Sequence, residues 1–357
     1  MLASITIGVV LIWILFLVIV LGSQLEKAKN HKEQQEPFVS ILIALRNEEE
    51  NVRALCDSLM KLTYPSSKFE ILLGDDDSDD STLEYLEKHK PENASVLSLH
   101  HRDGSFGKQK VLSQLAKQAK GDFLLLTDAD MQFHPDWIQG MLSGVFDKRE
   151  IVVGLTKVTE SGWLSSLQNI DWLFNEWIIG WFARMGVGLT AWGNNLLIPK
   201  STYDEIGGHE GLKQSIVEDI TLLKAVLSNG GKLVVNFNTS AVASTKPATF
   251  LELLHQRKRW MKGLLDLNPL VWLGGLIKWL FWPALIHLTF DNPFWIMLGI
   301  TVIVLKLKIA SQIEKVTDSR FSIVHLLLFE IYDFVFYLIT FAFCLMPIKL
   351  VWKGRKY

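Results

Sequence analysis

The run Phe123-Leu-Leu-Leu-Thr-Asp-Ala-Asp130 decides how the chain is read. An apolar stretch that ends in two carboxylates predicts a buried strand delivering acids to the rim of a sheet. In extended geometry Asp128 and Asp130 flank Ala129 and point to the same side, so they can share one hard cation, Mg2+ or Mn2+. A cation held there neutralises charge on a departing diphosphate. The competing use of Asp130 is as a helix cap.

Outward from that strand, between Pro37 and about Thr245, short β-rich runs alternate with amphipathic stretches. The alternation predicts an α/β fold, a mainly parallel sheet flanked by helices. Strands are expected over Val39–Leu45, Phe69–Leu73, Ser95–Leu99 and Phe123–Thr127. Helices are expected over Glu48–Lys61, Ser81–Lys88 and Lys108–Ala119, where apolar residues keep helical spacing. The segment from Trp163 to Met185 holds four tryptophans and few charges, which suits either a core helix or one at a membrane interface.

Four further stretches have chemical potential. Ile71 to Thr82 ends a strand in clustered acids, and Asp76 is placed to accept from a base N–H. A calcium loop fails here, because it needs Gly where Asp80 stands and Glu where Leu86 stands. Gly107-Lys108 opens a helix at which the ammonium can meet a diphosphate, although a full phosphate-binding loop is absent and a solvated lysine is the plain alternative. Glu218 and Asp219 open another helix; first-turn acids commonly serve only the helix dipole, yet Asp219 there can take the proton of an attacking hydroxyl. Gln256-Arg-Lys-Arg-Trp260 either anchors a helix at lipid headgroups or sets Arg259 against a diphosphate and Trp260 against a sugar or base.

The ends are apolar. Met1 to Leu21 has no charge and Lys27, Lys29 and Lys32 follow it, so residues 1–24 are expected to be a retained transmembrane anchor with the following chain in the cytoplasm. The segment lacks the basic start and the cleavage site of a signal peptide. Within residues 264–347, candidate spans lie near Leu270–Phe290, Pro293–Ile313 and Phe321–Leu345. Three crossings would put the basic tail, residues 348–357, outside, whereas Lys353, Arg355 and Lys356 favour the cytoplasm. One span is therefore expected to be interfacial or re-entrant, and Lys278 in the first, or Glu330 with Asp333 in the last, mark the suspects. A formal charge of −2 and the lack of a basic aromatic stripe speak against nucleic acid as a partner. Cys56 and Cys344 sit in no metal or redox spacing and are expected as reduced thiols.

Taken in order, these stretches resemble family 2 glycosyltransferases of the GT-A fold, in the membrane-bound branch of ceramide glucosyltransferases and cellulose or hyaluronan synthases. The resemblance runs from about Phe38 to Gly263 and rests on Val39 to Glu49, Asp75-Asp-Asp-Ser78, Gly107-Lys108, Thr127-Asp-Ala-Asp130, Gly193-Asn-Asn195, Glu218-Asp219 and the Gln-x-x-Arg-Trp block at 256–260. It implies a GT-A catalytic domain over residues 37–263 that moves a sugar, UDP-linked by expectation, from a nucleotide-diphospho-sugar donor to a lipid or glycan hydroxyl acceptor at the membrane. Ala44, Glu48 and Asp76 would line the nucleotide pocket, Lys108 would join them at the diphosphate, and Asp128 and Asp130 would serve diphosphate and metal. Asp219, with Glu218 beside it, would be the base of an inverting displacement, and Gln256, Arg259 and Trp260 would close the site. Ser113 and Pro199-Lys200 depart from the family's pattern and leave the donor sugar open. The alternatives are a processive polysaccharide synthase, which needs a wider ring of spans, and a membrane-anchored nucleotide-sugar-binding protein without turnover.

Overall fold

The computed structural model describes residues 2–22, 36–99, 107–145, 147–215, 217–264, 269–348, 351–352 and 355–356. Lys27, Lys29 and Lys32, and Lys353 and Tyr357 of the tail, lie outside the described residues. The chain starts with helix α1 (Leu2–Gly22) and enters an alternating stretch: β1 (Val39–Leu45), α2 (Val52–Leu59), β2 (Phe69–Asp75), α3 (Thr82–His89), β3 (Ala94–Ser98), α4 (Lys108–Gln118) and β4 (Phe123–Asp128). There follow β5 (Met131–Phe133), α5 (Trp137–Leu142), β6 (Glu150–Gly154), β7 (Thr156–Val158), α6 (Trp163–Arg184) and β8 (Asn195–Pro199). Next come α7 (Lys200–Glu205), α8 (Gly208–Gly211), α9 (Glu218–Ser228), β9 (Lys232–Asn236), β10 (Ala243–Thr245) and α10 (Phe250–Leu264). Three long helices close the fold, α11 (Pro269–Asp291), α12 (Ile296–Thr317) and α13 (Ile323–Leu345), before the short pair β11 (Val351–Trp352) and β12 (Arg355–Lys356).

The main sheet has seven strands in the order β3-β2-β1-β4-β8-β6-β9, parallel except for β8, which runs antiparallel to both β4 and β6. A second sheet joins β5, β10 and β7. The four expected strands are present, and the near-continuous apolar sequence of β1, β2 and β4 follows from burial on both faces: Ile41 and Ile43 face one core with Leu55, Cys56 and Leu125, while Leu42 and Leu124 face the other with Val111 and Leu115. α4 packs so closely on β2 that a Cβ on Gly74 would lie 2.3 Å from Val111 Cγ1. α2 begins later than its apolar spacing suggests. Asn47 takes a left-handed backbone (φ 51°), and Glu48 and Glu49 are held by hydrogen bonds to the loop after β2, so the helix starts only at Val52.

The tryptophan-rich segment is α6, whose Ile170, Leu173, Phe174 and Trp177 are buried in the core while Trp163 at its start is 65% exposed. Among the described residues, four helices are long and apolar enough to cross a membrane: Ala3–Gly22, Val271–Asp291, Pro293–Thr317 and Ile323–Leu345. Two pairs of charges inside them meet one another, whereas Lys308 of α12 is exposed. Lys278 Nζ lies 2.8 Å from Asp333, and Lys306 Nζ lies 2.6 Å from Glu330, which also accepts from Trp282 Nε1 at 2.9 Å. Pairing removes most of the cost of holding such groups in an apolar setting. Cys56 and Cys344 are free thiols.

Candidate functional site

Parallel strands end together, so their C-terminal rim gathers the loops that can hold a ligand. β4 ends at Asp128, and in register across the sheet Asp128 pairs with Ala44 of β1, which pairs with Gly74 of β2. Ala44 and Asp128 are thus rim neighbours. The loops after β1 and β2 are laced together: Asn47 N–H donates to Ser78 Oγ (3.0 Å), Asp79 N–H to Asn47 Oδ1 (3.1 Å) and Glu48 N–H to Thr82 Oγ1 (2.7 Å). Arg46 donates from Nη1 to the carbonyl oxygens of Asp76 (2.5 Å) and Asp77, the latter in the left-handed region at φ 59°. Glu48 is buried and accepts from Asn51 Nδ2 at 2.6 Å, and Asp76 is buried with its N–H donating to Leu45 O at 2.8 Å. Asp75, which sequence reasoning left without a role, is 1% exposed and its Oδ1 has no hydrogen-bond partner among the described residues. A buried acceptor left open costs about 1–3 kcal/mol, and a ligand N–H or O–H in this cleft would satisfy it.

The second half of the site is a charge cluster. Lys108, the first residue of α4, lies with Nζ 2.5 Å from Asp128 Oδ1 and 2.8 Å from Glu218 Oε1. Burial alone would push its ammonium toward the neutral form, but Asp128 and Glu218 reverse that and keep it charged. Glu218, buried at the start of α9, is held below the usual carboxylate range, since Lys108 and then Arg259 outweigh the effect of burial. Its neighbour Asp219 goes the other way, pushed up to about 6 by burial and by the Glu218 charge. Two adjacent carboxyls pushed in opposite directions, one by nearby cations and one by burial and its neighbour's charge, are an arrangement that acid–base chemistry can use. Asp219 Oδ2 accepts from Gly193 N–H at 3.1 Å, and the space beside Gly193 is bounded by Asp219 and by Lys108 Nζ, 3.7 Å from where a Cβ would stand.

The asparagines that follow Gly193 are architectural. Asn195 accepts from Trp137 Nε1 (3.0 Å) and donates to the carbonyls of Leu155 (3.1 Å) and Ala241 (2.8 Å), while Asn194 accepts from Thr156 Oγ1 (3.2 Å) and Thr127 (2.7 Å). Together they tie β8 to the strands around it and fix Gly193 over the acids. The segment before α9 is tethered to α4 by Gln109, which donates to His209 O (2.9 Å) and accepts from Ser215 N–H (3.0 Å). His209 is 2% exposed, Tyr203 Oη accepts from its N–H (3.0 Å) and lies 2.9 Å from its Nδ1, and its Nε2 has no partner among the described residues. Burial depresses its pKa to about 4, so the ring is neutral near pH 7 beside Glu218 and Lys108. Nothing in its sequence neighbourhood marks it, because its role depends on α4 and α9 meeting there.

Asp130 follows β4 in a turn and accepts from Thr245 Oγ1 at 3.1 Å, whereas Asp128 faces Lys108. Among the described residues no group of three or more His, Cys, Asp or Glu side chains is clustered to hold a metal. The donor set still fits Mg2+ or Mn2+: hard carboxylate oxygens, with Asp128 36% exposed at the rim, suit a hard cation that keeps its remaining positions for phosphate oxygens and water.

α10 divides the Gln-x-x-Arg-Trp block between two faces. Arg259 is an electrostatic neighbour of Glu218 and Asp219, so this face turns to the acids. Arg257 pairs with the buried Asp171 of α6, and its guanidinium lies over Trp260 at 4.5 Å. Trp260 meets Trp172 edge to face at 5.4 Å, which is packing against α6. Gln256 is half-buried and its Oε1 has no partner among the described residues.

Comparison with known proteins fits this arrangement. A mannosyltransferase from Pyrobaculum calidifontis, solved with GDP-mannose and Mn2+, superposes over 93% of this chain and 99% of its own, with a TM-score of 0.58 at 14% identity, which shows the shared fold. A β-monoglucosyldiacylglycerol synthase from Trichormus variabilis is 25% identical over 252 residues, 68% of this chain and 53% of the relative. The glycosyltransferase AglE of Haloferax volcanii is 24% identical over 266 residues, 74% of this chain and 81% of that protein. The chain spans about half the length of the diacylglycerol-glucosylating relatives it matches. The sheet is that of the GT-A fold, and the family model for glycosyl transferase family 21 matches residues 2–357. The chain belongs to that family.

Proposed function

We propose that the protein transfers a sugar, with inversion, from a nucleotide-diphospho-sugar, UDP-linked by preference, to the hydroxyl of a lipid-linked or membrane-embedded acceptor. The observation that supports this most directly is the pairing of a buried Asp219, raised to about 6, with a cation-clamped Glu218 at the sheet rim. In this reading residues 37–263 form the catalytic domain, residues 1–24 the anchor and residues 264–347 the membrane region. The domain faces the cytoplasm, a side favoured by Lys27, Lys29 and Lys32. Relatives that glucosylate diacylglycerol support a lipid acceptor.

The loops after β1 and β2, with Ala44, Glu48 and Asp76, hold the nucleoside. Asp128 and Asp130 are the residues that would hold a divalent cation, whose chemistry is to neutralise the diphosphate oxygens. Lys108 and Arg259 bring positive charge to the same place. Asp219 accepts the proton of the acceptor hydroxyl as it attacks the anomeric carbon, and Glu218 keeps Lys108 aligned. Gln256 and Trp260 belong to the wall on the membrane side.

Asp219→Asn should lower transfer by about 10²–10⁴-fold while nucleotide binding stays near wild type, measured with purified protein, a panel of nucleotide sugars and a lipid extract, and product identified by mass spectrometry. Unchanged transfer would remove the base assignment. Long glycan chains among the products would favour a polysaccharide synthase instead.

A further inference from the structure

The four long apolar helices do not share one environment. α12 lies beside α1: Gln312 Nε2 donates to Leu21 O (3.5 Å) at one end, where Lys157 Nζ also donates to Thr317 O (3.1 Å). α11 and α12 form a hairpin turned at Asn292–Trp295, with Leu285 and Trp282 against Gly299. Leu17 and Val20 of α1 belong to the same buried cluster as Phe281 and Leu288 of α11 and Val302 of α12.

α13 is arranged differently. From Phe321 to Glu330 the chain follows α12 backward, with Phe321 N–H on Glu314 (2.6 Å) and Glu330 on Lys306 (2.6 Å). From Glu330 to Tyr337 it follows α11 backward: Glu330 meets Trp282, Phe334 stacks on Trp279 at 5.4 Å, and Lys278 lies over the Tyr337 ring at 5.2 Å. The arms of a hairpin run in opposite directions, so a helix that descends beside α12 and then meets side chains progressively higher on α11 does not continue to the far end of the hairpin and lies obliquely across both arms.

The other side of α13 rests on the catalytic domain. Phe329, Phe336 and Phe343, one every seven residues, are buried; Phe329 meets Phe174 of α6 at 6.2 Å, Phe336 meets Phe250 of α10 at 6.1 Å and Phe343 meets His255 at 5.3 Å. Lys258 of α10 donates to the carbonyl oxygens of Phe343 (3.3 Å) and Met346 (2.7 Å). α10 therefore runs beside the last half of α13 while bearing Glu252, His255, Arg257, Lys258 and Arg259. A helix so charged does not enter hydrocarbon.

We propose that α13 lies in the plane of the membrane surface on the side of the catalytic domain, its partner being the headgroup and upper acyl layer of the bilayer, and that only α1 and the α11–α12 hairpin cross. The face it offers is a continuous apolar stripe: Val324, Leu327, Ile331, Val335, Leu338 and Leu345 are each exposed by 42% to 72% and recur at helical spacing. α11 and α12 also expose large apolar side chains, among them Leu276, Ile286, Ile300 and Val304, and one apolar medium, lipid, is the occupant that covers both. Six residues separate Lys306, where α13 crosses α12, from Gln312, level with the end of α1; the step is about 9 Å, the depth of an interfacial helix. Two crossings after the catalytic domain return the basic tail to the domain's side, in accord with Lys353, Arg355 and Lys356.

The test uses full-length protein in sealed vesicles, with Cys344→Ser and the buried Cys56 left in place. An impermeant maleimide is applied to Lys90→Cys on the catalytic domain, Asn292→Cys at the hairpin turn, Arg320→Cys before α13 and Tyr357→Cys in the tail. Arg320→Cys and Tyr357→Cys should label from the same face as Lys90→Cys, and Asn292→Cys from the opposite one. Nitroxides at Val324, Ile331, Leu338 and Leu345 should report one shallow depth, within about 10 Å of the headgroups. Labelling of Arg320→Cys and Tyr357→Cys from opposite faces, or a depth greatest at Ile331 and Leu338 and shallow at both ends, would overturn the proposal.

Discussion

Lys108→Met removes the ammonium that joins Asp128 to Glu218 and keeps most of the side chain's volume. Asp128 is 36% exposed and its share of the effect is screened, so the Glu218 contact at 2.8 Å, with both side chains largely buried, decides the magnitude. At an effective dielectric constant of 20, charges that close attract by roughly 6 kcal/mol before desolvation is counted. Removing one partner of such a pair leaves the other buried and uncompensated, at a cost of about 3–5 kcal/mol. Thermal or denaturant unfolding in mild detergent should show a loss of that order. The second readout is independent of the first. Lys108 also helps hold the Asp219 carboxyl down, so its removal should move the acid limb of kcat/KM upward from about 6. A Lys108→Met protein that unfolds like wild type and keeps its acid limb would refute the assignment of this lysine as the counter-ion of the buried acids.

In the wild type, transfer should be half-maximal near pH 6 and fall below it, because only the ionised Asp219 takes a proton; a profile flat down to pH 5 would exclude this residue as the base. The same shift has a stability consequence of defined sign. A folded-state pKa above the ordinary value of 3.8 means that the native state holds the proton more tightly, so Asp219 contributes declining stability as pH rises from 3.8 to about 6, measurable against Asp219→Asn. Asp171→Ala should destabilise by about 3–5 kcal/mol by stranding Arg257, whereas Asp171→Leu combined with Arg257→Met should recover most of that, as read by unfolding midpoints. Gly74→Ala should cost about 1–3 kcal/mol, because its Cβ would press to 2.3 Å from Val111 and α4 must shift, and nucleotide affinity should fall with it if α4 moves Lys108.

The sheet was legible where burial on both faces writes long apolar runs, as in β1 and β4. It was illegible from β5 to β10, where three- to five-residue strands lie between loops and are fixed by Asn195 and Asn236 rather than by any pattern. Short motifs located the acids, since Asp128, Glu218 and Asp219 sit at element ends that carry their own signals. Partners across the fold left no such trace: Lys108 reads as a helix start, yet its neighbours are 20 and 110 residues away in Asp128 and Glu218. His209 and the open oxygen of Asp75 escaped for the same reason. Equally, Trp260 looks like a ligand contact in sequence, but its indole packs on Trp172. Lys278, Glu330 and Asp333 stand out in the sequence as charges within apolar helices, and the geometry pairs Lys278 with Asp333 and Lys306 with Glu330.

One helix, α10, acts electrostatically on Glu218 and Asp219 through Arg259 and holds the end of α13 through Lys258, the residue before it. Adjacent residues cannot move independently along a helix. If α13 lies at the membrane surface as proposed, a bilayer that lifts or sinks it should drag the guanidinium with it, and the proposed transfer should then respond to lipid composition.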